Sequence, residues 1–414
     1  MTHAVAASAA ADLVAWTVEV DDPGDLLTWL PAGEAFAFLR GGDGLVGWGV
    51  AARLPVAPGA DVAADVASLL GAITTRDDVG LPGCGAVAIA SMGFDPATDG
   101  SVLVVPTVVL GRRDGRSWLT IINPPGSVAI PALRRRPVAA ASAPPASVTR
   151  LLPAEAEWGQ AVADAVASLR AGDLDKVVLA RAIEVTADAV IDPRSVAARL
   201  AGRFPGCFTY LCDGLVGASP ELLIRRTGRH AESLVLAGTV RRGETPEADA
   251  ELERQLLDSA KDRIEHRYAA ESVSEILGRV SADVVTDPSP HLLRLANVSH
   301  LATHVAAWLP DPAPSALALA ALLHPTAAVG GTPRGAALAK IRSLEVVPRG
   351  RYAAPVGWVD GRGDGEFAIA LRCAQLSGRV ARLWAGAGIV ADSAPAAEIA
   401  ETAAKFDAVL SALV

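Results

Sequence analysis

Cysteine is scarce in this 414-residue chain: four residues, Cys84, Cys207, Cys212 and Cys373, with no CxxC spacing among them. They offer neither a disulfide framework nor a thiolate metal site, and read as reduced, mostly buried thiols of a cytoplasmic protein. A basic run is also missing. Lys and Arg number 37 against 46 acids, a net charge of −9, which argues against nucleic acid as the main partner. No apolar stretch of about 18 residues runs without a breaker, so no membrane span is expected. The opening MTHAVAASAAADLVAWTVEVDD has no basic start and soon meets acid, so it does not read as an export signal. Aromatics are 4 % of the chain and lysines are few, yet 51 % is hydrophobic, enough for a sizeable core. A chain of this length makes two ordinary domains or one large unit. A small anionic ligand stays open, because local cations decide that and the total charge does not.

Hairpin signals dominate the text. In FAFLRGGDGLVGWGVAARL the Gly-Gly-Asp-Gly stretch turns between two strand-like runs. The first 130 residues hold no chemical constellation. Residues from about Val128 to Pro153, rich in Pro, Ala and Ser, read as a surface connection. Beyond it, a helix is expected over Glu155 to Leu169 and a strand from Lys176. FTYLCDGLVGASPELLIRR reads as two strand-like runs around Cys-Asp-Gly, and helical spacing suggests one long helix from Pro246 to Val280. An antiparallel meander follows from Gly357 to Val390, turning at Asp360 to Gly365 and at Ser377-Gly378, and a last helix covers about Pro395 to Leu413. No βαβ repeat is present. The fold class expected is therefore α+β with antiparallel sheets.

One motif tempts a wrong conclusion. Gly386-Ala-Gly388-Ile-Val-Ala391 fits the G-x-G-x-x-G/A dinucleotide fingerprint. That fingerprint requires its glycines to open a helix directly within a βαβ unit. Here the helical pattern starts only at Pro395, and no second parallel strand follows. The fingerprint fails its context.

Several side chains could carry chemistry, and each also has a plainer reading. Asp262 and Glu265, and likewise Glu398 and Glu401, stand three apart on helices and so share a face. Facing pairs would suit a hard cation such as Mg2+, whereas a single pair is usually a solvated helix face. Ser219-Pro220-Glu221 also reads as a helix start. Lys176 is either a strand-edge gatekeeper or a buried amine fit for base chemistry. His300 and His324 each read as satisfied structural groups. Arg372, within FAIALRCAQL, needs a carboxylate or an anionic ligand if it points inward.

Together these signals resemble one family. In order, KVVLAR, GASPELL, LAGT, KDRIEH, VSHLATH, HPTAAVGG, YAAPVGW, GEFAIALRCAQL and AGAGIVADSAPAAEIAET resemble the chorismate-utilising enzymes: isochorismate, salicylate, anthranilate and aminodeoxychorismate synthases. The resemblance runs continuously over residues 170 to 410. It implies an anthranilate-synthase-like fold, a single large unit of two packed antiparallel sheets with helices outside. Residues 1–130 would be a variable part adding strands to that fold, 131–153 a connection, and 154–414 the catalytic region.

The resemblance also implies roles. Lys176 is the base that activates water, and Glu221 the acid that protonates the departing C4 hydroxyl of chorismate. Such a base must be partly neutral and such an acid partly protonated, and burial drives both ways. Mg2+ is expected on Glu265 and Glu401, with Asp262 and Glu398 close by, holding the ring carboxylate with help from Lys405. Gly386 and Gly388 let backbone amides approach a carboxylate. Arg372 and Tyr352 take the enolpyruvyl carboxylate, and Gly238, Thr239 and His300 shape the substrate site. Ala328, where salicylate-forming and ammonia-using members place Thr, points to hydration that stops at isochorismate, for menaquinone or a siderophore. Salicylate synthase is the runner-up, ahead of the ammonia users and of a non-catalytic chorismate binder. No glutaminase subunit, nucleic acid or membrane partner is expected. The chain departs from the family at Val240 (usually Arg), Ala327 (Pro), Ala354 (Gly) and Ile399 (Trp).

Overall fold

The computed structural model describes residues 12–57, 59–95, 100–125, 134–135, 144–295 and 298–413. Two large sheets lie face to face, one of 13 strands and one of 10 among the described residues. Every pairing is antiparallel apart from Val14–Val20 with Thr74–Asp77. Both sheets mix early and late strands. Ala35–Arg40 pairs with Phe208–Cys212 in the first sheet, and Val87–Ser91 with Pro355–Asp360 in the second. The N-terminal part thus belongs to the same two sheets as the rest.

Period-2 alternation explains the first sheet. In FAFL, Phe36 and Phe38 point into the core between the sheets, while Ala35, Ala37 and Leu39 enter a second core on the other face. Helices Pro193–Arg203 and Pro395–Leu413 cover that second core with Val196, Leu200, Phe406, Val409 and Leu413. Buried on both faces, such strands read as nearly unbroken apolar runs. Helices Ala260–Leu277 and Ala316–Leu323 pack on the second sheet. The expected turns form as two-residue hairpins: Gly41-Gly42 at φ 60° and 90°, and Asp213-Gly214 at φ 49° and 77°. Among the described residues no helix is long and apolar enough to cross a membrane.

Four expectations need correction. The helix expected from Pro246 to Val280 is two, Pro246–Asp258 and Ala260–Leu277, because extended Ser259 ends one and caps the next by accepting from the Asp262 N–H. The end of the expected connection, Ala146–Leu152, is an edge strand paired with Lys176–Ala187; residues 126–133 and 136–143 lie outside the described set. Ser219-Pro220-Glu221 starts no helix: it joins Leu215–Ser219 of the first sheet to Leu222–Thr227 of the second. The expected meander likewise divides. Pro355–Asp360 and Gly365–Ile369 lie in the second sheet, Cys373–Ser377 and Val380–Ile389 in the first. The chain crosses over at residues 370–372, where Arg372 has the left-handed φ of 49°. Both crossovers meet, since Ile369 N–H donates to Glu221 C=O at 3.2 Å.

Candidate active site

The two crossovers deliver Glu221 and Arg372 to one cavity of about 80 Å3. Its walls include Val178, Gly238, Thr239, Asp262, Glu265, His300, Ala328, Tyr352, Gly386, Gly388, Glu401 and Lys405. A larger open groove, about 650 Å3, lies on another face of helix Ala260–Leu277, but it gathers solvated charges such as Arg263, Arg267 and Glu271. The smaller cavity is where buried polar groups converge, and that convergence marks a site better than size does.

Glu221 is 4 % exposed. Burial pushes its carboxyl up to about 8, although the Leu236 backbone and the charges of Lys176 and Arg372 pull the other way. It is a protonated acid at neutral pH. Lys176 is fully enclosed, which removes the gatekeeper reading, since a gatekeeper faces solvent. Its Nζ stands 3.1 Å from Glu265 Oε1 and has no hydrogen bond among the described residues. It does not line the cavity itself, but its ion-pair partner Glu265 does.

The carboxylates sit among lysines. Glu401 Oε1 accepts from Lys405 Nζ at 2.5 Å, and Lys405 also donates to Gly386 C=O at 2.8 Å. Burial raises the Glu401 carboxyl, but Lys405, with Lys261 and Arg372, holds it below the usual range. Asp262 is pushed up by burial and by Glu265 and Glu401, against a hydrogen bond from Ser259. Glu398, 1 % exposed at its side chain, pairs with Lys261 Nζ at 3.1 Å and does not line the cavity. Burial lowers Lys261, yet Glu398, Glu265 and Glu401 outweigh it and raise its proton affinity. Among the described residues no three such donors stand in metal-ligating geometry. Asp262, Glu265 and Glu401 do share one wall, and as crowded hard oxygen donors they suit a hard divalent cation.

Lys261 escaped the sequence reading. The signal was available: the chain has only four lysines, Lys176, Lys261, Lys340 and Lys405, and all but Lys340 converge here.

The glycines fit by close approach. A Cβ on Gly388 would collide with Glu265 Oε1 and come within 3.1 Å of Lys176 Cε; one on Gly386 would come within 3.1 Å of the Tyr352 hydroxyl. Gly238 has φ 74° at a bulge between Ala237 and Thr239, which places its Cα against Asp262. His300 Nδ1 lies 2.9 Å from Thr239 Oγ1, but its Nε2 is buried without a partner among the described residues. Burial, with Arg372 and Lys405, drives that imidazole down to about 3, so it is neutral. His324 is the satisfied structural group expected, its Nε2 2.8 Å from Phe94 C=O. Tyr352 stacks on Trp384 with centroids 6.2 Å apart, and burial raises its phenol. No ion pair holds the Arg372 guanidinium among the described residues, while its charge reaches Glu221, His300 and Glu401. Ala327 donates its N–H to Ser272 Oγ at 3.3 Å, a bond that proline in its place could not make.

The model of the family described as chorismate binding enzyme matches residues 3–414. The chain belongs to the chorismate-binding enzymes. It is 40 % identical over 345 residues to a putative isochorismate synthase MenF of Mycobacterium tuberculosis, covering 80 % of this chain and 87 % of that protein. To the salicylate biosynthesis isochorismate synthase of Pseudomonas aeruginosa it is 44 % identical over 261 residues, 62 % of this chain and 54 % of that one. Among solved structures, menaquinone-specific MenF of Escherichia coli superposes with a TM-score of 0.82 at 25 % identity, covering 97 % and 95 % of the two chains. The match to anthranilate synthase component I of Streptococcus pneumoniae, TM-score 0.70 at 21 % identity over 92 % and 93 %, shares the fold.

Proposed function

We propose that this protein is an isochorismate synthase, adding water at C2 of chorismate while the C4 hydroxyl leaves. One observation carries the reading: a buried carboxylic acid, Glu221, kept protonated to about 8, stands at the same cavity that a fully enclosed lysine adjoins. Water addition with loss of hydroxide needs both a base and an acid. Lys176 takes the proton of the attacking water, and Glu221 gives one to the departing hydroxyl, so that no charge accumulates on the substrate. Arg372, with no carboxylate partner among the described residues, receives the enolpyruvyl carboxylate beside Tyr352. His300 Nε2 is left as a neutral partner for a substrate hydroxyl.

The reaction, on this proposal, uses Mg2+ held by Glu265 and Glu401 with Asp262 near. When bound, the ion offsets the repulsion between the ring carboxylate and these acids. Glu398 acts at one remove, by holding Lys261.

Salicylate synthesis is the second reading, and the methyl of Ala328 in the cavity wall argues against it. No glutaminase partner is invoked, because water is the nucleophile. The product serves menaquinone or siderophore synthesis; relatives carry names of both kinds. Incubation with chorismate and Mg2+, with and without ammonium, followed by chromatography, tests the proposal. Isochorismate unaffected by ammonium is expected. Aminated product, or abundant salicylate, overturns it.

A further inference from the structure

Strand Lys176–Ala187 is paired with Val380–Ile389 along one edge. Its other edge is broken. Lys176 and Val177 pair with Gly331–Thr332, and Ala182 to Ala187 with Ala146–Leu152, leaving Val178 to Arg181 without a strand neighbour on that edge among the described residues. Buried backbone groups must find partners. Here side chains supply most of them. Val178 N–H donates to Gly330 C=O at 2.9 Å, but Val178 C=O accepts from Arg349 Nη2 at 2.7 Å. Ala180 N–H donates to Glu345 Oε1 at 2.8 Å, and Ala180 C=O accepts from Trp158 Nε1 at 3.1 Å.

Arg349 and Glu345 form one unit. Arg349 Nη2 meets Glu345 Oε1 at 2.5 Å and Nε meets Oε2 at 2.9 Å, with side chains 2 % and 7 % exposed. The guanidinium lies 4.1 Å over the Phe94 ring, and its Nη1 donates to Val329 C=O at 2.8 Å. Arg349 C=O accepts from Tyr352 N–H at 3.0 Å. A single arginine thus refers three parts of the cavity wall to one another: the strand of Lys176 and Val178, the loop of Ala328 and Val329, and Tyr352. Neither Arg349 nor Glu345 lines the cavity. A clasp needed for stability alone could sit anywhere in the strand; apart from its stacking on Phe94, this one ties segments that line the cavity.

We propose that the Arg349–Glu345 pair is a positioning device that sets the spacing of the base strand, the Ala328 loop and Tyr352, and through that spacing governs turnover and the point at which the reaction stops. The link to turnover rests on the chorismate hydration proposed above. Only a planar fork can reach two carbonyls and both oxygens of Glu345, so lysine cannot replace it.

The test compares Arg349→Lys and Glu345→Gln with wild type on chorismate, well below their melting temperatures. Arg342→Ala serves as control, because it breaks an exposed ion pair with Asp95. Each variant is checked for folding, and kcat, KM and the pyruvate released per isochorismate are measured. Displacement of reacting groups by about 1 Å can cost 10²-fold. We expect Arg349→Lys to lose roughly tenfold or more in kcat, to raise KM, and to change the pyruvate ratio. Glu345→Gln, which keeps the acceptor for Ala180 N–H, should show the same pattern more weakly. A folded Arg349→Lys with a lower melting temperature but wild-type kcat, KM and product ratio would overturn the proposal and leave a structural pair. If Arg349→Lys does not fold, Glu345→Gln decides by the same criteria. Should wild type form some other product from chorismate, the proposed function falls, while the variants' kinetics toward that product still test the clasp.

Discussion

Lys176 Nζ lies 3.1 Å from Glu265 Oε1, so the proposed base and a proposed metal ligand form an ion pair. Their surroundings differ: the lysine side chain is sealed, whereas the glutamate is 16 % exposed. Removing the carboxylate therefore leaves the sealed amine without its ion-pair partner, a loss of about 1–3 kcal/mol. Removing the lysine leaves a part-exposed acid that still feels the charge of Lys261. Glu265→Gln should accordingly melt lower than Lys176→Met, whose apolar chain fills the same space. Both should lose turnover, Lys176→Met by about 10² to 10⁴-fold. Thermal unfolding and product assays check the order. A Lys176→Met protein keeping over a tenth of wild-type rate would remove Lys176 from the role of base.

Glu221 makes the pH dependence specific. Burial raises its pKa from 4.5 to about 8, so the folded protein binds a proton that the unfolded chain releases above about 4.5. That contribution to stability is complete below the unfolded value and is lost as pH rises through about 8. Glu221→Gln removes the dependence. The melting temperature of the glutamine variant relative to wild type should rise between pH 5 and pH 9, in protein without substrate. Wild-type turnover should fall on the alkaline side near pH 8, and Glu221→Gln should lose about 10² to 10⁴-fold at every pH. A melting difference independent of pH would contradict the raised value.

Gly388 tests how tightly the site is built. A methyl there collides with Glu265 Oε1 and presses on Lys176 Cε, in a strand whose backbone otherwise accepts alanine. Gly388→Ala should fold and be nearly inactive. Turnover within a few-fold of wild type would show that Glu265 moves freely, and that its pair with Lys176 is incidental.

Much of this was legible in the sequence, and the remainder was hidden for definable reasons. Two-residue turns at Gly41-Gly42 and Asp213-Gly214 were readable because they need positive φ, and the last helix because its period is local. The crossings at Glu221 and Arg372 were not, since strand propensity says nothing about which sheet a strand joins. Ser259 could be read as one more polar helix residue until its cap was seen. The Arg349–Glu345 clasp mends a strand 165 to 171 residues away in sequence, which no local pattern reports. Lys261 stood in a quoted motif, yet its partner Glu398 is 137 residues on.

The metal proposal has its own test. Activity should vanish in excess chelator and return with Mg2+. Glu401→Gln should lose most turnover while folding normally, because the amide keeps an oxygen for Lys405 Nζ in a site that is part-exposed on the acid side. Calorimetric titration of the substrate-free protein with Mg2+ should show weaker binding in Glu401→Gln than in wild type. Full turnover in chelator would remove the ion from the reaction.

On the proposed reading, Ala328 is the residue on which the end point turns. It lines the cavity in a loop fixed by Val329 C=O to Arg349 and by Ala327 N–H to Ser272, so a side chain added there has a defined place. Pyruvate leaves isochorismate only if the enolpyruvyl methylene carbon can take the C2 hydrogen. A threonine hydroxyl could restrain that arm or the adjacent ring hydroxyl; a methyl can do neither. One such hydrogen bond contributes roughly 0.5–1.5 kcal/mol, enough to shift a partition several-fold without creating an activity. Wild type should release isochorismate with at most a trace of salicylate. Ala328→Thr should raise the salicylate fraction and slow net hydration. The measurement is the salicylate-to-isochorismate ratio of both proteins at matched conversion. Abundant enzymatic salicylate from wild type would promote the second reading. An unchanged ratio in the variant would move the determinant elsewhere in the wall, with the spacing set by Arg349 as the next place to look.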